Sequence, residues 1–267
     1  MNSSTDTWSN GDPYEYFMGR WSKLMAPVFL QWLNAAYGLS WLDIGCGTGA
    51  LSEVISLTCN PASISCVDPS AAFLEKAKER FINKADFTVG SASAIPKPDN
   101  SFDIIVSGLA LNFFPDLPAA FSEMKRVHKK DGMIAAYVWD YAGRMDLLRI
   151  FWDAAREIDP QAYKFDEGLR FPVCNEGKLK ESFQQAGLTG IQTSNLDIIT
   201  VFKNFDDYWN PFLGGQGPAP GYLAFLNKGL QEELENNVRK KLSPAKDGSI
   251  KLTARAIAVK GIVRQVT

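Results

Sequence analysis

The sequence predicts an α/β fold built on a doubly wound, mostly parallel β-sheet. Short apolar runs with strand character alternate with amphipathic helical stretches between residues 40 and 139. Strands that alternate with helices imply right-handed crossovers, and these connections make neighbouring strands parallel. A glycine-rich turn joins the first strand to the first helix of this series, as in nucleotide-binding sheets. The 267-residue chain is 46% hydrophobic, which is enough to bury a full core.

Seven runs have the length and composition of β-strands. We predict strands at Ser40–Ile44, Ser63–Val67, Asp86–Val89, Phe102–Ser107, Gly132–Trp139, Leu188–Phe202 and Ile250–Val263. Between the first five, apolar residues recur every three or four positions, which indicates helices. We predict these helices up to about Leu57, at Ala71–Phe81 and at Leu117–Val127.

Outside this alternating core the pattern is mainly helical. Residues 14–37 have helical spacing, and Pro27 should split or kink that helix. In the second half we predict helices at residues 147–158, 176–186 and 226–242. Gly214–Gly221, with the sequence GGQGPAPG, is typical of a flexible linker.

Composition argues against several kinds of partner and site. The net charge of −2 offers no basic field to nucleic acid, and no apolar run approaches the roughly 18 residues of a membrane span. The four cysteines form no CxxC pair and His128 is the only histidine, so we expect no metal site. We assign His128 a structural role, as a cation complementing the dipole at a helix end. We expect reduced cysteines, a cytoplasmic location, no membrane insertion and no nucleic-acid partner.

The strongest chemical signal is the segment Trp41–Ala50, WLDIGCGTGA. Its glycines let the backbone approach a ligand, and the helix that follows directs N–H groups towards it. The spacing is GxGxG rather than the GxGxxG of dinucleotide sites, and Asp43 would repel a diphosphate. Asp68 ends the second strand, where a carboxylate can accept both hydroxyls of a ribose. A cationic nucleoside with an amino group therefore fits better than NAD; a purely structural turn is the other alternative.

Four motifs in succession resemble those of the class I S-adenosylmethionine-dependent methyltransferases. They are WLDIGCGTGALS, CVDPS, AIPKPDNSFDIIVSGLALNFFPD and EMKRVHKKDGMI. The chain is most similar to the ubiquinone/menaquinone-biosynthesis methyltransferase group, over residues 38–140. This resemblance implies a Rossmann-like, seven-stranded sheet whose last strand is antiparallel. It also implies S-adenosylmethionine as the cofactor, S-adenosylhomocysteine as the product, and no metal.

The resemblance also implies which residues bind the cofactor. These are Asp43, Gly45, Cys46, Gly47, Asp68, Pro69, Ser91, Ala92, Ser107, Gly108 and Leu109. Asp43 would lie near the amino group of the methionine moiety, and Asp68 would hold the ribose hydroxyls. Ser91 stands where family members usually carry an aspartate that binds the adenine amino group. A serine can accept or donate a hydrogen bond there.

On the acceptor side, Asp140 and Tyr141 follow the fifth strand and are the candidate catalytic residues. Asp140 could orient or deprotonate the acceptor, and the alternative is a solvated loop carboxylate. Four N-terminal residues could close over the cofactor or simply pack as a helix: Tyr14, Tyr16, Arg20 and Trp21.

We expect in-line transfer of a methyl group to a small molecule through an O, N or C nucleophile. The alternative is a protein that binds S-adenosylmethionine without transferring the methyl group, as a lyase, a cyclase or a regulatory binder.

The predicted organisation is one methyltransferase domain over residues 1–267. Its parts are an N-terminal helical lid (1–37), the cofactor-binding core (38–140), two helical and aromatic cap insertions (141–175 and 203–249) and the last strand (250–267).

Overall fold

The structure is a computed structural model that describes residues 15–81, 85–214 and 217–263. Tyr14 and the side chain of Tyr16, both predicted to belong to the lid, lie outside this description. The described chain divides into two compact units. We call residues 22–138, 173–196 and 256–263 the sheet unit, and residues 15–21, 139–172 and 197–255 the helical unit.

The strands form one seven-stranded sheet in the order β3-β2-β1-β4-β5-β7-β6. Their bounds are Ser40–Ile44 (β1), Ser63–Asp68 (β2), Asp86–Val89 (β3), Phe102–Gly108 (β4), His128–Trp139 (β5), Thr189–Phe202 (β6) and Ile250–Ile262 (β7). The first five strands are all parallel to one another. The predicted α/β sheet is confirmed, and β1 and β3 have the predicted bounds.

β7 is antiparallel to both of its neighbours, β5 and β6. Asp140 N–H donates to the Arg255 carbonyl oxygen at 2.9 Å, and Val263 N–H donates to the Gly132 carbonyl oxygen at 3.3 Å. Residue numbers therefore rise along β5 as they fall along β7, which is the antiparallel arrangement. β6 is antiparallel to β7 as well, since the Thr189 hydroxyl donates to the Ile262 carbonyl oxygen at 3.4 Å while the Arg255 side chain donates to the Asp197 carboxylate at 2.7 Å.

α-Helices cover much of the remaining chain. They lie at Arg20–Leu33, Ala50–Thr58, Ala71–Arg80, Leu117–Val127, Asp146–Ile158, Glu167–Arg170, Glu176–Gln185, Phe205–Trp209, Pro218–Phe225 and Lys228–Lys241. A π-helical turn lies at Glu15–Gly19, and 3₁₀ turns lie at Leu111–Phe113, Pro160–Lys164 and Asn210–Gly214. In the described parts of the chain, no helix combines the length and apolar character needed to cross a membrane.

The sequence predicts a split or a kink at Pro27, and no split occurs, since the helix runs without interruption from Arg20 to Leu33. The fully buried Met25, Ala26 and Phe29 hold this helix in place, so burial outweighs the backbone hydrogen bond that proline loses.

Much of the predicted linker is also helical. Pro218 begins a helix that runs to Phe225, and Gly217 precedes it with a φ of 90°. Proline is favoured in the first turn of a helix because its missing N–H has no partner to lose there. Pro218, Ala219 and Pro220 are all buried, which fixes this turn in the helical unit.

The helical unit is built around stacked aromatic rings. Phe151 lies parallel to Phe212 with ring centroids 4.7 Å apart, and Phe17 meets Phe212 edge-on at 5.2 Å. The Tyr208 hydroxyl donates to the Leu147 carbonyl oxygen at 2.8 Å, which satisfies the polar end of a fully buried ring. These aromatic residues therefore form the core of the unit, since large aromatic side chains are mostly buried in folded proteins.

Candidate functional site

The glycine turn after β1 requires glycine for two different reasons. Gly45 has a φ of 69°, and a Cβ there would lie 2.5 Å from the Ala110 Cβ. Any side chain at this position would displace the segment that follows β4. Gly47 has a φ of 55°, but a Cβ there would meet nothing within 4 Å. Gly45 thus provides close packing, whereas Gly47 leaves an open surface beside the turn.

The backbone N–H groups of this turn are mostly used inside the protein. Gly45 and Cys46 both donate to the Val67 carbonyl oxygen, at 2.8 and 3.3 Å. Gly47 donates to the Asp68 Oδ2 at 2.9 Å, and Gly49 donates to the Cys46 carbonyl oxygen at 2.9 Å. A diphosphate site needs such N–H groups to point at the ligand. The geometry therefore disfavours a dinucleotide, in agreement with the GxGxG spacing.

Asp43, the last residue but one of β1, carries a buried carboxyl group with one oxygen that has no partner among the described residues. Its Oδ2 accepts a hydrogen bond from the Ser52 hydroxyl at 2.5 Å, and Ser52 in turn accepts from the Cys66 thiol at 3.2 Å. Its Oδ1 is buried and has no hydrogen-bond partner among the described residues. Burial raises the pKa of Asp43 to about 7, and the charge of Asp68 adds to this effect. A nearby cation would favour the ionised form.

Asp68 ends β2 and fastens the glycine turn from the other side. Its Oδ2 accepts from Gly47 N–H, and its Oδ1 accepts from Ser70 N–H at 2.8 Å. Burial raises the pKa of Asp68, while these two hydrogen bonds oppose the shift. An ionised carboxylate has about four acceptor sites, so capacity for further donors such as ribose hydroxyls remains.

The predicted adenine-side residues follow β2 and β3. Pro69 is exposed directly after Asp68, and Ala92 is buried. Ser91 is exposed, and its hydroxyl oxygen accepts from the Ser93 N–H at 3.2 Å. That oxygen retains a second lone pair, and its hydroxyl hydrogen is not used in this bond.

The end of β4 lies next to β1 and has a strained backbone. Gly108 packs tightly, since a Cβ there would lie 2.8 Å from the Tyr137 hydroxyl oxygen. Leu109 has a φ of 61°, although the other non-glycine residues with positive φ in the described chain are asparagine or aspartate. Bulky residues rarely adopt this conformation, and such strain concentrates at functional sites. Ser107 is buried, and its hydroxyl has no partner within the described residues.

Sequence reasoning missed two side chains at this end of the sheet. Tyr137 lies opposite Gly108 in the β4–β5 register, so its hydroxyl reaches the backbone at the end of β4. Asn112 lies in the 3₁₀ turn after β4, and both of its amide atoms are buried. Asn112 could have been noticed as a single amide in the apolar run SGLALNFFP. Tyr137 could not, because it is one of several large apolar residues in β5.

The three remaining predicted residues belong to the helical unit. Asp140 closes a turn by accepting from the N–H groups of Gly143 at 3.0 Å and Arg144 at 3.1 Å. Tyr141 is buried, with its ring 5.8 Å from that of Phe171. Arg20 donates to Asp207 at 2.9 Å and lies over the Trp21 ring at 4.3 Å. Their roles towards acceptor and cofactor stay predictions.

His128 is structural for a different reason from the one predicted. It is buried at the start of β5, and burial lowers its pKa, so the side chain is neutral at pH 7. A Cβ on Gly132 would lie 2.3 Å from the His128 Nε2. His128 therefore packs against a glycine, and its charge does not complement a helix dipole. Throughout the described ranges, no three His, Cys, Asp or Glu side chains are placed to hold a metal ion.

Comparison with known proteins agrees with this geometry. Residues 42–136 match the family model described as a methyltransferase domain. A demethylmenaquinone methyltransferase of Staphylococcus aureus is 35% identical over 168 residues, which are 58% of this chain and 70% of the relative. This chain belongs to the class I S-adenosylmethionine-dependent methyltransferases. A demethylmenaquinone methyltransferase of Desulfitobacterium hafniense is 29% identical over 62% of this chain and 72% of its own length.

Solved structures match the fold of this methyltransferase. The YcgJ protein of Bacillus subtilis has a TM-score of 0.56 at 21% identity, covering 92% of this chain and all of that protein. A phosphoethanolamine N-methyltransferase of Haemonchus contortus, solved with S-adenosylhomocysteine, has a TM-score of 0.59 at 16% identity. That match covers 95% of this chain and 56% of the other. At these identities the likeness concerns the fold alone.

The site residues of the methyltransferase fit its cofactor. The unpartnered Asp43 Oδ1 offers an acceptor to an ammonium group, and Asp68 keeps acceptor capacity at the end of β2. The open surface at Gly47 admits a ligand against the backbone. All three features belong to the sheet unit.

Proposed function

We propose that this methyltransferase acts on a small hydroxyaromatic acceptor, at a ring carbon or an oxygen. Two relatives named above are demethylmenaquinone methyltransferases, and the chain spans about 70% of their length. This acceptor class suits methyl transfer, because a phenolic or quinol oxygen makes both itself and the neighbouring ring carbons nucleophilic. The observation that carries methyl transfer from S-adenosylmethionine is the glycine turn held between Asp43 and Asp68, with one carboxylate oxygen unused.

We assign the cofactor contacts to the sheet unit. The Gly45–Gly47 backbone and Asp43 would hold the methionine end, with Asp43 Oδ1 accepting from its ammonium group. Asp68 would accept the ribose hydroxyls, and Pro69, Ser91 and Ala92 would border the adenine. Residues that end β4, Ser107–Leu109, would lie beneath the sulfonium. When bound, the cofactor supplies a methyl group on a positively charged sulfur, which leaves as a neutral thioether.

The acceptor needs correct positioning more than a strong base. The cofactor would supply a methyl group whose bonding electron pair stays with the neutral thioether, so the residues of the chain have only to align an electron pair of the acceptor with that methyl group. The acceptor then loses a proton to solvent or to a side chain. We assign Asp140 to orient or deprotonate the acceptor and Tyr141 to assist it, since both directly follow β5. Arg20 is proposed as a further cofactor contact.

Calorimetric titration with S-adenosylhomocysteine tests the cofactor assignment. We expect a dissociation constant in the micromolar range, because the product S-adenosylhomocysteine must leave the enzyme after each reaction. Absence of binding at several hundred micromolar would overturn the proposal. A methyl-labelled cofactor with a panel of naphthols and naphthohydroquinones tests transfer. A protein that binds the cofactor without transferring the methyl group would release no S-adenosylhomocysteine with any acceptor.

A further inference from the structure

Asn112 lies close in sequence to the topological switch point of the sheet, where the strand order reverses between β1 and β4. β1 and β4 are neighbours, and from them the chain builds outward to opposite edges, through β2 and β3 on one side and β5 on the other. In open α/β sheets, ligands bind in the crevice at the carboxyl ends of the two strands at such a point. The glycine turn follows β1 there. Asn112 follows the end of β4 at Gly108 by only four residues.

The turn that carries Asn112 is held rigidly against the glycine turn. Phe113 N–H donates to the Ala110 carbonyl oxygen at 2.9 Å, and Phe114 N–H donates to the Leu111 carbonyl oxygen at 3.3 Å. Leu111 is buried, and Ala110 lies so close to Gly45 that a Cβ on this glycine would be 2.5 Å away. The backbone on both sides of Asn112 is therefore fixed relative to the proposed cofactor site.

The amide of Asn112 is buried with no use inside the described protein. Neither Oδ1 nor Nδ2 has a hydrogen-bond partner among the described residues. Three other asparagines form hydrogen bonds within their own segments. The side chains of Asn175, Asn204 and Asn227 each accept from a backbone N–H at the start of a helix. A buried amide with both its donor and its acceptor unused is costly to the fold, so it calls for a partner from outside the described residues.

We propose that Asn112 is a specificity-determining residue that binds an oxygen of the methyl acceptor. Its Oδ1 accepts from an acceptor hydroxyl, and its Nδ2 donates to a hydroxyl or carbonyl oxygen. This rests on the proposed function and deepens it, because it restricts the acceptor to molecules with a second ring oxygen besides the one that activates the reacting atom. A site built to hydrogen-bond such a group rejects analogues that lack it, since the amide would then stay unpaired.

The test compares Asn112→Leu with the unmodified enzyme on two probes, 1,4-dihydroxynaphthalene and 1-naphthol. We expect the unmodified enzyme to prefer the dihydroxy probe, and Asn112→Leu to lower kcat/KM for it by about 100-fold. The preference between probes should shrink in the variant. The dissociation constant for S-adenosylhomocysteine should change less than about threefold, because the amide binds the acceptor and not the cofactor.

Thermal stability provides a readout that a structural role would move in the opposite direction. Leucine keeps the branching and the number of side-chain heavy atoms and removes two unpaired polar atoms, so the Tm of Asn112→Leu should stay the same or rise. A clear fall in Tm, repeated in Asn112→Ala beyond the loss expected for its smaller side chain, would assign the amide to folding and overturn the proposal. Asn112→Ala also serves as the kinetic test if leucine does not fit.

The other outcomes separate this proposal from the proposed function. If Asn112→Leu weakens S-adenosylhomocysteine binding as strongly as it lowers kcat/KM, the amide contacts the cofactor and the proposal is overturned. If the unmodified enzyme binds S-adenosylhomocysteine but methylates neither probe, the acceptor class is wrong. Failure to bind S-adenosylhomocysteine at all would instead remove the proposed function.

Discussion

Asp43 in the sheet unit and Glu167 in the helical unit are both buried carboxyl groups, and burial raises the pKa of each to about 7. Their surroundings differ. Glu167 accepts a hydrogen bond from the Trp152 indole N–H, and neither of its oxygens is left buried without a partner in the described structure. Asp43 receives the Ser52 hydroxyl on one oxygen and nothing on the other.

We interpret this difference in hydrogen-bond partners as the difference between a structural carboxyl group and one that can bind a ligand. The raised pKa reports only that each group has left water, because desolvation disfavours the charged form wherever it occurs. The unused Asp43 Oδ1 carries the additional information, since buried polar atoms in proteins nearly always have partners. We therefore propose a structural role for Glu167 in the helical unit and a ligand-binding role for Asp43.

The largest expected effect comes from adding a methyl group beside each carboxyl group. Gly45→Ala would place its Cβ 2.5 Å from the Ala110 Cβ, so the segment after β4 must move. We expect S-adenosylhomocysteine affinity to fall by about 100-fold. Gly168→Ala, next to Glu167, also meets close atoms, with the Ala142 Cα at 2.9 Å. It should lower the Tm without changing this affinity, as measured by calorimetry and thermal unfolding.

Gly38→Ala is the control for backbone strain at Gly45. Gly38 has a φ of 77°, similar to that of Gly45, but a Cβ there meets nothing within 4 Å. It should cost about 1 kcal/mol of stability and leave binding unchanged. Equal losses of affinity in Gly45→Ala and Gly168→Ala would break the distinction between the two sites.

The second largest expected effect is a change in the pH dependence of stability when either carboxyl group is replaced by its neutral amide. Both groups have a folded-state pKa above the unfolded value, so the stability they contribute is greatest at low pH and is lost as pH rises through 7. Relative to the unmodified protein, Asp43→Asn and Glu167→Gln should each gain about 2.5 kcal/mol between pH 5 and pH 8. Urea unfolding at the two pH values measures this gain.

Ligand binding should distinguish these two otherwise similar variants. Asp43→Asn removes the negative charge that would pair with an ammonium group and replaces one acceptor oxygen with an NH₂ donor, so we expect S-adenosylhomocysteine affinity to fall about tenfold or more. Glu167→Gln keeps an oxygen for the Trp152 indole and should bind as the unmodified protein does. The comparison fails if both variants lose affinity together.

A smaller effect concerns whether the two units unfold together. The chain passes between them five times, after residues 21, 138, 172, 196 and 255. We therefore propose one domain, with a single cooperative unfolding transition. S-adenosylhomocysteine at ten times its dissociation constant should stabilise that transition by about 1.4 kcal/mol. Two calorimetric transitions, of which the ligand moves only one, would instead make the sheet unit and the helical unit independent domains.

The smallest expected effect is the pH dependence of stability from His128, which is opposite in sign to that from Asp43 and Glu167. Burial lowers the pKa of His128, so the stability it contributes is present above its unfolded pKa and is lost as pH falls. His128→Gln should therefore lose less stability than the unmodified protein between pH 7 and pH 5. Urea unfolding at pH 5 and pH 7 compares His128→Gln and Asp43→Asn with the unmodified protein. The stability differences of the two variants should change with pH in opposite directions. A stability difference of His128→Gln that does not change with pH would mean that His128 is not shielded from water.

Some of the site could be predicted because its signals are local. The alternation of apolar runs and helices located β1 and β3 to the residue, and the glycine turn with Asp43 and Asp68 indicated a nucleoside site. These features depend on neighbours in sequence, where period and turn chemistry act directly. Asn112 and Tyr137 carry no such signal, because their position at the site depends on which strands become neighbours.

The sequence by itself determined the class of fold, the family motifs and the carboxylates at the strand ends, because backbone propensities and residue spacing specify each of them locally. Only the tertiary structure decided that Asp43 keeps one oxygen without a partner while Glu167 does not, that Pro27 and Pro218 lie within helices, and that His128 is neutral. Each of these depends on burial and on hydrogen-bond partners brought in from distant parts of the chain. Such contacts, unlike local spacing, exist only once the chain has folded.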